Sequence, residues 1–331
     1  MTEWRPDKLS RRMPYLKERA RIQASLRQWF VSQGFIEVET PILQLTPGAE
    51  LHLTGFSTEW QLPDGGKRER WLQSSPEFAM KKLLAGGVAK IFQFAKVFRN
   101  SEGSALHHPE FTMLEWYRAG VGYESIMDDC AAVLRLAGAK EMRWREFACD
   151  PAAEPERLTV AEAFGRYAKV DVLAHADDAE GLARAAGVAM RAGDAWDDVF
   201  FRIMLDKIEP KLGVGRPTLL CEYPISMAAL ARAKPGDPRV AERFELYVCG
   251  VELANAFGEL TDPEIQRARL AADMDEKQRR YDVRWPIDRD FLAALDHGLP
   301  PCAGIALGFD RLVMLATAAQ RIEDVLWLPV R

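Results

Sequence analysis

Ile91-Phe92-Gln93-Phe94-Ala95-Lys96-Val97-Phe98-Arg99, followed after a polar stretch by Phe111-Thr112-Met113-Leu114-Glu115-Trp116-Tyr117-Arg118, is the passage that decides the fold. In the first run Gln93, Ala95, Val97 and Arg99 share one face of a strand with period two, and in the second Glu115 and Tyr117 do the same. The two runs predict an antiparallel hairpin. The intervening residues Asn100 to Glu110 are too many for a tight turn and include Gly103, Ser104, His107, His108 and Pro109, which predicts a loop able to fold over a ligand.

Outward from the hairpin, residues 14 to 33 carry Leu16 and then Ile22, Leu26, Trp29 and Phe30 at helical spacing, with Gly34 placed to end the helix. Ile36, Val38 and Thr40 then alternate with Glu37 and Glu39 up to Pro41, the period of a strand with one buried face. Residues from about 122 to 200 are rich in alanine and predict a helical insertion, with loops near Ala152 to Glu156 and Asp177 to Glu180. Arg243 to Glu259 predicts a second hairpin that turns at Cys249-Gly250, and a last strand passes through Gly308 into a helix with Leu312, Leu315 and Ala316. Strands separated by helical insertions, without regular β-α-β alternation, predict an α+β fold: an antiparallel sheet flanked by helices, read as a single domain over residues 1–331.

With 48% apolar and 10% aromatic residues, 331 residues can bury a sizeable core. The apolar runs fall short of the roughly 18 to 20 residues of a membrane span, and Met1-Thr2-Glu3-Trp4-Arg5 lacks the apolar core of a signal peptide, so a cytoplasmic protein with no membrane partner is expected. Cys130, Cys149, Cys221, Cys249 and Cys302 are odd in number and widely scattered, which argues for buried reduced thiols and against a disulfide framework or a zinc site. A net charge of −5 argues against a broad electrostatic footprint for nucleic acid. No Gly-Lys-Ser/Thr run follows a glycine-rich loop, so the phosphate-binding loop of that type is excluded.

Two arginines nevertheless stand in matching contexts. One lies in Phe98-Arg99-Asn100, running on to His107-His108-Pro109-Glu110-Phe111; the other closes Gly304-Ile305-Ala306-Leu307-Gly308-Phe309-Asp310-Arg311. These stretches resemble motifs 2 and 3 of the class II aminoacyl-tRNA synthetases, and the helix and strand ending in Glu39-Thr40-Pro41 resemble motif 1. Ser75-Pro76-Glu77, Pro109-Glu110-Phe111-Thr112-Met113-Leu114-Glu115 and Glu252-Leu253-Ala254-Asn255 narrow the likeness to the lysyl branch, from about residue 14 to residue 328. The resemblance implies a class II catalytic core, use of ATP with Mg2+, and a homodimer formed through motif 1.

Attack on the α-phosphate of ATP needs fixed positive charge around phosphorus, and arginine binds phosphate bidentately and stacks on aromatic faces. By resemblance, Arg99 would hold the α-phosphate and the attacking carboxylate, and Arg311 would stack on adenine and touch the γ-phosphate. Asn100, Ser101, Glu102, His107, His108, Phe111, Leu253 and Gly308 complete the expected ATP site, with Glu252 and Glu259 as magnesium ligands. Strict alternation puts positions seven apart on opposite strand faces, so these two carboxylates need a bulge or bend between them, for which Gly258 is the plausible place. A substrate with an additional ammonium group needs buried acceptors. Ser75, Pro76, Glu77, Glu115, Tyr117, Asn255, Glu259 and Ala306 are expected to form that pocket; salt bridges with Lys81, Lys82 or Arg118 are the alternative for the glutamates.

Lysyl-tRNA synthetases carry an oligonucleotide-binding β-barrel ahead of motif 1, whereas here motif 1 begins near residue 14. The sequence is therefore most similar to the branch that modifies a protein, the elongation factor P (R)-β-lysine ligases. Members activate (R)-β-lysine or lysine as the adenylate and transfer it to the ε-amine of a lysine on elongation factor P. No enzyme nucleophile is needed for that, which agrees with the lack of a Ser-His-Asp or Cys-His arrangement. Ala306 also resembles the ligases, where synthetases of the lysyl type usually have glycine, and one methyl group beside the substrate is worth about 1 to 3 kcal/mol of discrimination. There are departures: the acid of the family's Phe-Arg-x-Glu is displaced to Glu102, His108 stands where asparagine is common, and Gly258 replaces a histidine of some relatives. An enzyme acylating tRNA, less expected on charge, and a non-catalytic synthetase-like module are the alternatives.

Overall fold

The computed structural model describes residues 3–330, and the chain divides into two compact units. The first comprises Met1–Gly122, Leu260–Met314 and Ala319–Arg331; the second comprises Tyr123–Glu259 and Leu315–Ala318.

In the first unit the strands Ile36–Glu37, Lys90–Phe98, Glu110–Ala119 and Cys302–Gly308 lie side by side in that order. The first pair is parallel and the others are antiparallel, with Gln93 opposite Glu115 and Glu115 opposite Ala306. The central strand is buried from Thr112 to Tyr117, so its alternate residues serve two faces. One face packs on the helix Pro6–Ser32: Phe30 stacks on Phe92 at 4.7 Å and lies 5.2 Å from Trp116. Leu16, Ile22, Leu26 and Phe30 are fully buried, as the stripe predicts, and Gly34, at φ +78°, ends the helix while Phe35 N–H bonds the carbonyl of Phe30 at 3.0 Å.

That helix begins at Pro6 rather than residue 14 and accepts Pro14 in its interior. The extension is anchored by Arg12, which donates to the carbonyls of Leu326 at 2.7 Å and Glu3 at 3.1 Å. The strand after it is shorter than predicted: only Ile36 and Glu37 pair, and Ile36 is 57% exposed instead of facing a core. A three-stranded sheet of Leu43–Gln44, Lys67–Leu72 and Phe56–Gln61 completes the unit, with the helices Glu77–Ala85, Pro263–Tyr281 and Arg289–Gly298.

The second unit sets strands Val251–Gly258, Arg243–Val248, Thr218–Cys221 and Glu156–Thr159 side by side, antiparallel except for the last pair. Cys249 and Gly250 form the hairpin turn at φ 56° and 71°, the left-handed pair that a two-residue turn demands. Residues 122 to 200 hold the expected helices, among them Glu124–Leu136, Ala179–Ala186 and Trp196–Ile203. They also hold strands that the alanine-rich composition hid, at Met142–Trp144, Phe147–Cys149 and Glu156–Thr159. The core here gathers Phe164 and Phe200, stacked 5.1 Å apart, with Leu158, Val199 and Tyr223. All five cysteines are free and buried, and burial pushes the Cys149 and Cys221 thiols up to about 12. Among the described residues no helix is long and apolar enough to cross a membrane.

One buried ion pair links three elements of the first unit. Arg19, within the apolar stripe of the first helix, pairs with Asp310 and donates to Thr112 Oγ1 at 2.9 Å, while Asp310 Oδ2 accepts from the backbone of Thr112 at 2.9 Å. The pair is nearly sealed from water, with side chains 7% and 1% exposed. Removing one partner of such a pair leaves an uncompensated charge and typically costs roughly 3 to 5 kcal/mol. Arg19→Met is accordingly expected to lower stability by that amount in denaturant unfolding; a loss below about 1 kcal/mol would show that the pair does not hold the unit together.

Candidate functional site

The first unit brings Arg99, Glu102, His107, Phe111, Glu115, Tyr117 and Ala306 onto or around one hairpin. Arg99 continues the face of Ala95 and Val97, and its guanidinium lies 5.3 Å from the Phe111 ring centroid. Phe111 is steadied by a small cluster of Ala95, Val97, Met113 and Ala306. Among the described residues no carboxylate pairs with Arg99, and its buried Nε has no acceptor. An arginine held this way is a ready position for an anion.

The loop after Arg99 is folded back on itself. Ser101 takes the left-handed conformation at φ 63° and donates its N–H to Asn100 Oδ1 at 2.8 Å, so the position where the family has its glutamate turns outward as an exposed serine. Glu102 is half-buried; burial pushes its carboxyl up against the opposing pull of Arg99 and Arg311. Arg311 donates to the carbonyl of Leu106 at 3.3 Å and to His107 Nε2 at 2.7 Å. Because arginine can only donate, the His107 proton sits on Nδ1, facing Ser104 Oγ at 2.8 Å. Burial first, then Arg311 and Arg99, hold the His107 imidazole down at about 4, so it is neutral at physiological pH. His108 is employed differently: its two ring nitrogens face the carbonyls of Glu110 at 2.6 Å and Val330 at 3.2 Å, which ties the loop to the C-terminal segment.

Next to the hairpin lies an acidic pocket. Glu115, 1% exposed, accepts from Ser75 Oγ at 2.7 Å and Tyr117 Oη at 2.6 Å. Burial, reinforced by the nearby Glu77 charge, pushes Glu115 up to about 8 despite those hydrogen bonds. Glu77 opens the helix Glu77–Ala85 after Pro76, and its backbone N–H bonds Ser75 Oγ at 3.2 Å. Its carboxylate pairs with buried Lys81 at 2.6 Å, so the expected alternative of a salt bridge holds for Glu77, whereas Glu115 is held by hydroxyls. Burial also raises the Glu77 pKa, with Lys81 pulling it back. Opposite Glu115 on the neighbouring strand is Ala306, with Gly304 opposite Tyr117 and Gly308 opposite Met113.

The second unit carries Glu252, Leu253, Asn255 and Glu259. The bulge that Glu252 and Glu259 require exists, but at Leu253 and not at Gly258: Leu246 pairs with Ala254, and the next residue, Tyr247, pairs with Glu252. The extra residue returns Glu252 to the face of Asn255 and Phe257, a face that the period of two continues to Glu259, bridged to Ala231. Gly258 has a different reason: a Cβ there would come within 2.2 Å of Glu242 Oε2 and force that carboxylate off its ion pair with Arg232. Asn255 is oriented by Arg243 at 3.2 Å, and Arg243 is itself fixed by Glu245 at 2.6 Å and the Met227 carbonyl at 2.6 Å. Leu253 is 2% exposed and packs inward.

Sequence reading missed two groups that shape the first unit's pocket. Glu50 lines a small adjoining pocket together with Thr46, Gly48, Ser75 and Glu77, but the loop that bears it has no periodicity to mark it. Gln93, directly beside Glu115, is spent on Thr40, accepting from its hydroxyl at 3.0 Å and its N–H at 3.2 Å.

Residues 7–331 match the family model described as tRNA synthetases class II (D, K and N). Two similar proteins carry the name elongation factor P--(R)-beta-lysine ligase. The one from Haemophilus influenzae (strain PittGG) is 40% identical over 329 residues, 98% of this chain and 97% of its own length. The one from Vibrio cholerae serotype O1 is 39% identical over 332 residues, 99% and 98% of the two chains. The chain belongs to the class II tRNA synthetases (D, K and N).

Proposed function

We propose that the protein is an ATP-dependent ligase that activates (R)-β-lysine, or lysine, as the adenylate and transfers it to the ε-amine of a lysine on elongation factor P. The observation that carries this reading is the buried carboxyl of Glu115, with half-buried Glu77 close by, on a hairpin that also bears Arg99, which has no carboxylate partner among the described residues. Cationic substrate groups and an anionic reacting end are what such a site complements. The names of the similar ligases point the same way.

In the first step a carboxylate oxygen of the amino acid attacks the α-phosphorus and pyrophosphate leaves. Arg99 neutralises the charge gathering on the equatorial oxygens, and its stacking on Phe111 fixes the guanidinium before the substrate arrives. Arg311, steadied by Leu106 and His107, is the group for adenine and the γ-phosphate. In the second step the acceptor amine attacks the mixed anhydride and AMP departs, with no enzyme nucleophile. Ala306, opposite Glu115, narrows the pocket by one methyl group and favours the β-isomer.

Glu252 and Glu259 would hold magnesium, which would supply positive charge against the developing negative charge of the reaction. Among the described residues no group of three or more His, Cys, Asp or Glu gathers as a cage, so these two carboxylates on one face would be the protein's share of the ligands. A second copy of the chain is the natural cover for Val31, Ile36, Ile42, Leu43 and Leu45, which are 41–60% exposed around the motif 1 segment.

Arg99→Ala should reduce lysine-dependent ATP–pyrophosphate exchange at least a hundredfold, and unchanged exchange would sink the assignment of Arg99. The pH dependence of amino-acid binding tests Glu115 separately. With its pKa raised to about 8, the free carboxyl holds its proton at neutral pH and must lose it to meet an ammonium. Affinity measured calorimetrically should rise by up to about tenfold per pH unit below that value and level off above it. Glu115→Gln should bind weakly with a flat profile; a wild-type profile that is flat from pH 6 to 8 would contradict this role.

A further inference from the structure

Lys277 is a charged residue that the proposed chemistry does not use, yet it is 2% exposed. It lies near the end of the helix Pro263–Tyr281, and its Nζ donates to three carbonyls of one loop, those of Glu50 at 3.2 Å, Leu51 at 2.7 Å and Leu53 at 2.6 Å. The ammonium also sits 3.7 Å from the centroid of the Trp285 ring. Three N–H groups thus meet three carbonyls, and among the described residues no carboxylate forms an ion pair with the charge. A buried ammonium satisfied by carbonyl dipoles and an indole face is costly to assemble from an unfolded chain, so the loop's shape depends on it. The loop wraps the ammonium much as backbone carbonyls wrap a bound metal ion.

The gripped loop borders the Glu115 cluster through shared residues. Gly48 and Glu50 line a small pocket with Ser75 and Glu77, and Ser75 in turn donates to Glu115 at 2.7 Å. The loop's ends are tied as well: Ser74 donates through both its N–H and its hydroxyl to the carbonyl of Pro47, each at 2.8 Å, with the same hydroxyl 3.4 Å from Glu50 Oε2, and Asn100 donates to the carbonyl of Thr54 at 2.8 Å. Between these points the fold is tight. A Cβ at Gly48 would come within 2.6 Å of Glu50 Oε2 and 2.7 Å of Ser74 Oγ. Besides Lys277, one more side chain of the same helix touches the span, with Tyr281 Oη 2.7 Å from His52 Nδ1.

We infer that Lys277 is a positioning residue for the amino-acid pocket, its ammonium fixing the Glu50–Leu53 span so that Gly48 and Glu50 stand against Glu77. The inference rests on the proposed substrate class, and its structural half is testable without that reading. In Lys277→Met the stem can still lie on Trp285 while three carbonyls lose their donor; in Lys277→Arg the donors remain.

The test combines hydrogen exchange of the amides from 48 to 53 with lysine-dependent ATP–pyrophosphate exchange, on wild type and both variants of the full chain. Lys277→Met should speed amide exchange in this span at least tenfold over the rest of the first unit and raise KM for lysine about tenfold, with KM for ATP changed less than twofold. Lys277→Arg should restore both. Unchanged amide exchange in the Met variant, equal loss for lysine and ATP, or failure of the Arg variant to restore would overturn the inference. If wild type shows no lysine-dependent exchange, the proposed function falls, and the amide exchange alone decides whether Lys277 anchors the loop.

Discussion

The strand Glu110–Ala119 is sealed on both faces, and the first unit depends on that constraint. Thr112, Leu114 and Trp116 alternate with Phe111, Met113, Glu115 and Tyr117, so one set serves the helix-packed core and the other faces the candidate site. A slip of one residue would send Trp116 to the acidic pocket and Glu115 into the aromatic core, against Phe30 and Phe92. Pairing on both sides prevents that slip: the strand is fixed by Lys90–Phe98 on one edge and Cys302–Gly308 on the other. Arg19 adds a clamp on the core side, through Thr112 and Asp310, at the point where the last strand passes into the helix that bears Arg311.

With the register fixed, the site's charges are kept available. Arg99 is stacked and, among the described residues, without a carboxylate partner, and His107, neutral at physiological pH, adds no charge beside Arg311. Glu115 holds its proton at neutral pH because burial and Glu77 make a second negative charge there unfavourable. A cationic group entering the pocket removes that penalty, so the electrostatic state of the pocket changes with the ligand. The arrangement suits a substrate that is positive at one end and reacts at an anionic one.

Much of this was legible in the sequence because strand period and glycine punctuation are local. The Arg99 hairpin, the helix stripe closed by Gly34 and the Cys249-Gly250 turn all follow from neighbouring residues. What was hidden depends on partners far away. Arg19 and Lys277 are visible in sequence only as charges on otherwise apolar helix faces; their partners lie 291 and about 224 to 227 positions away. The need for a bulge between Glu252 and Glu259 could be argued from the period of two, but its place could not. Glycine drew attention to position 258, where the real reason is the packing of Glu242, while the bulge sits at Leu253, where nothing in the residue type announces it. Ile36 was misread for a related reason, since an apolar residue in a strand pattern looks buried whether or not another element covers it.

An acylated protein as the product is tested most directly by intact-mass measurement of elongation factor P after incubation with this protein, ATP, magnesium and either lysine isomer. A gain of one lysyl unit is expected, larger with (R)-β-lysine than with α-lysine and absent without ATP. An unmodified factor, under conditions where either isomer supports pyrophosphate exchange, would contradict it.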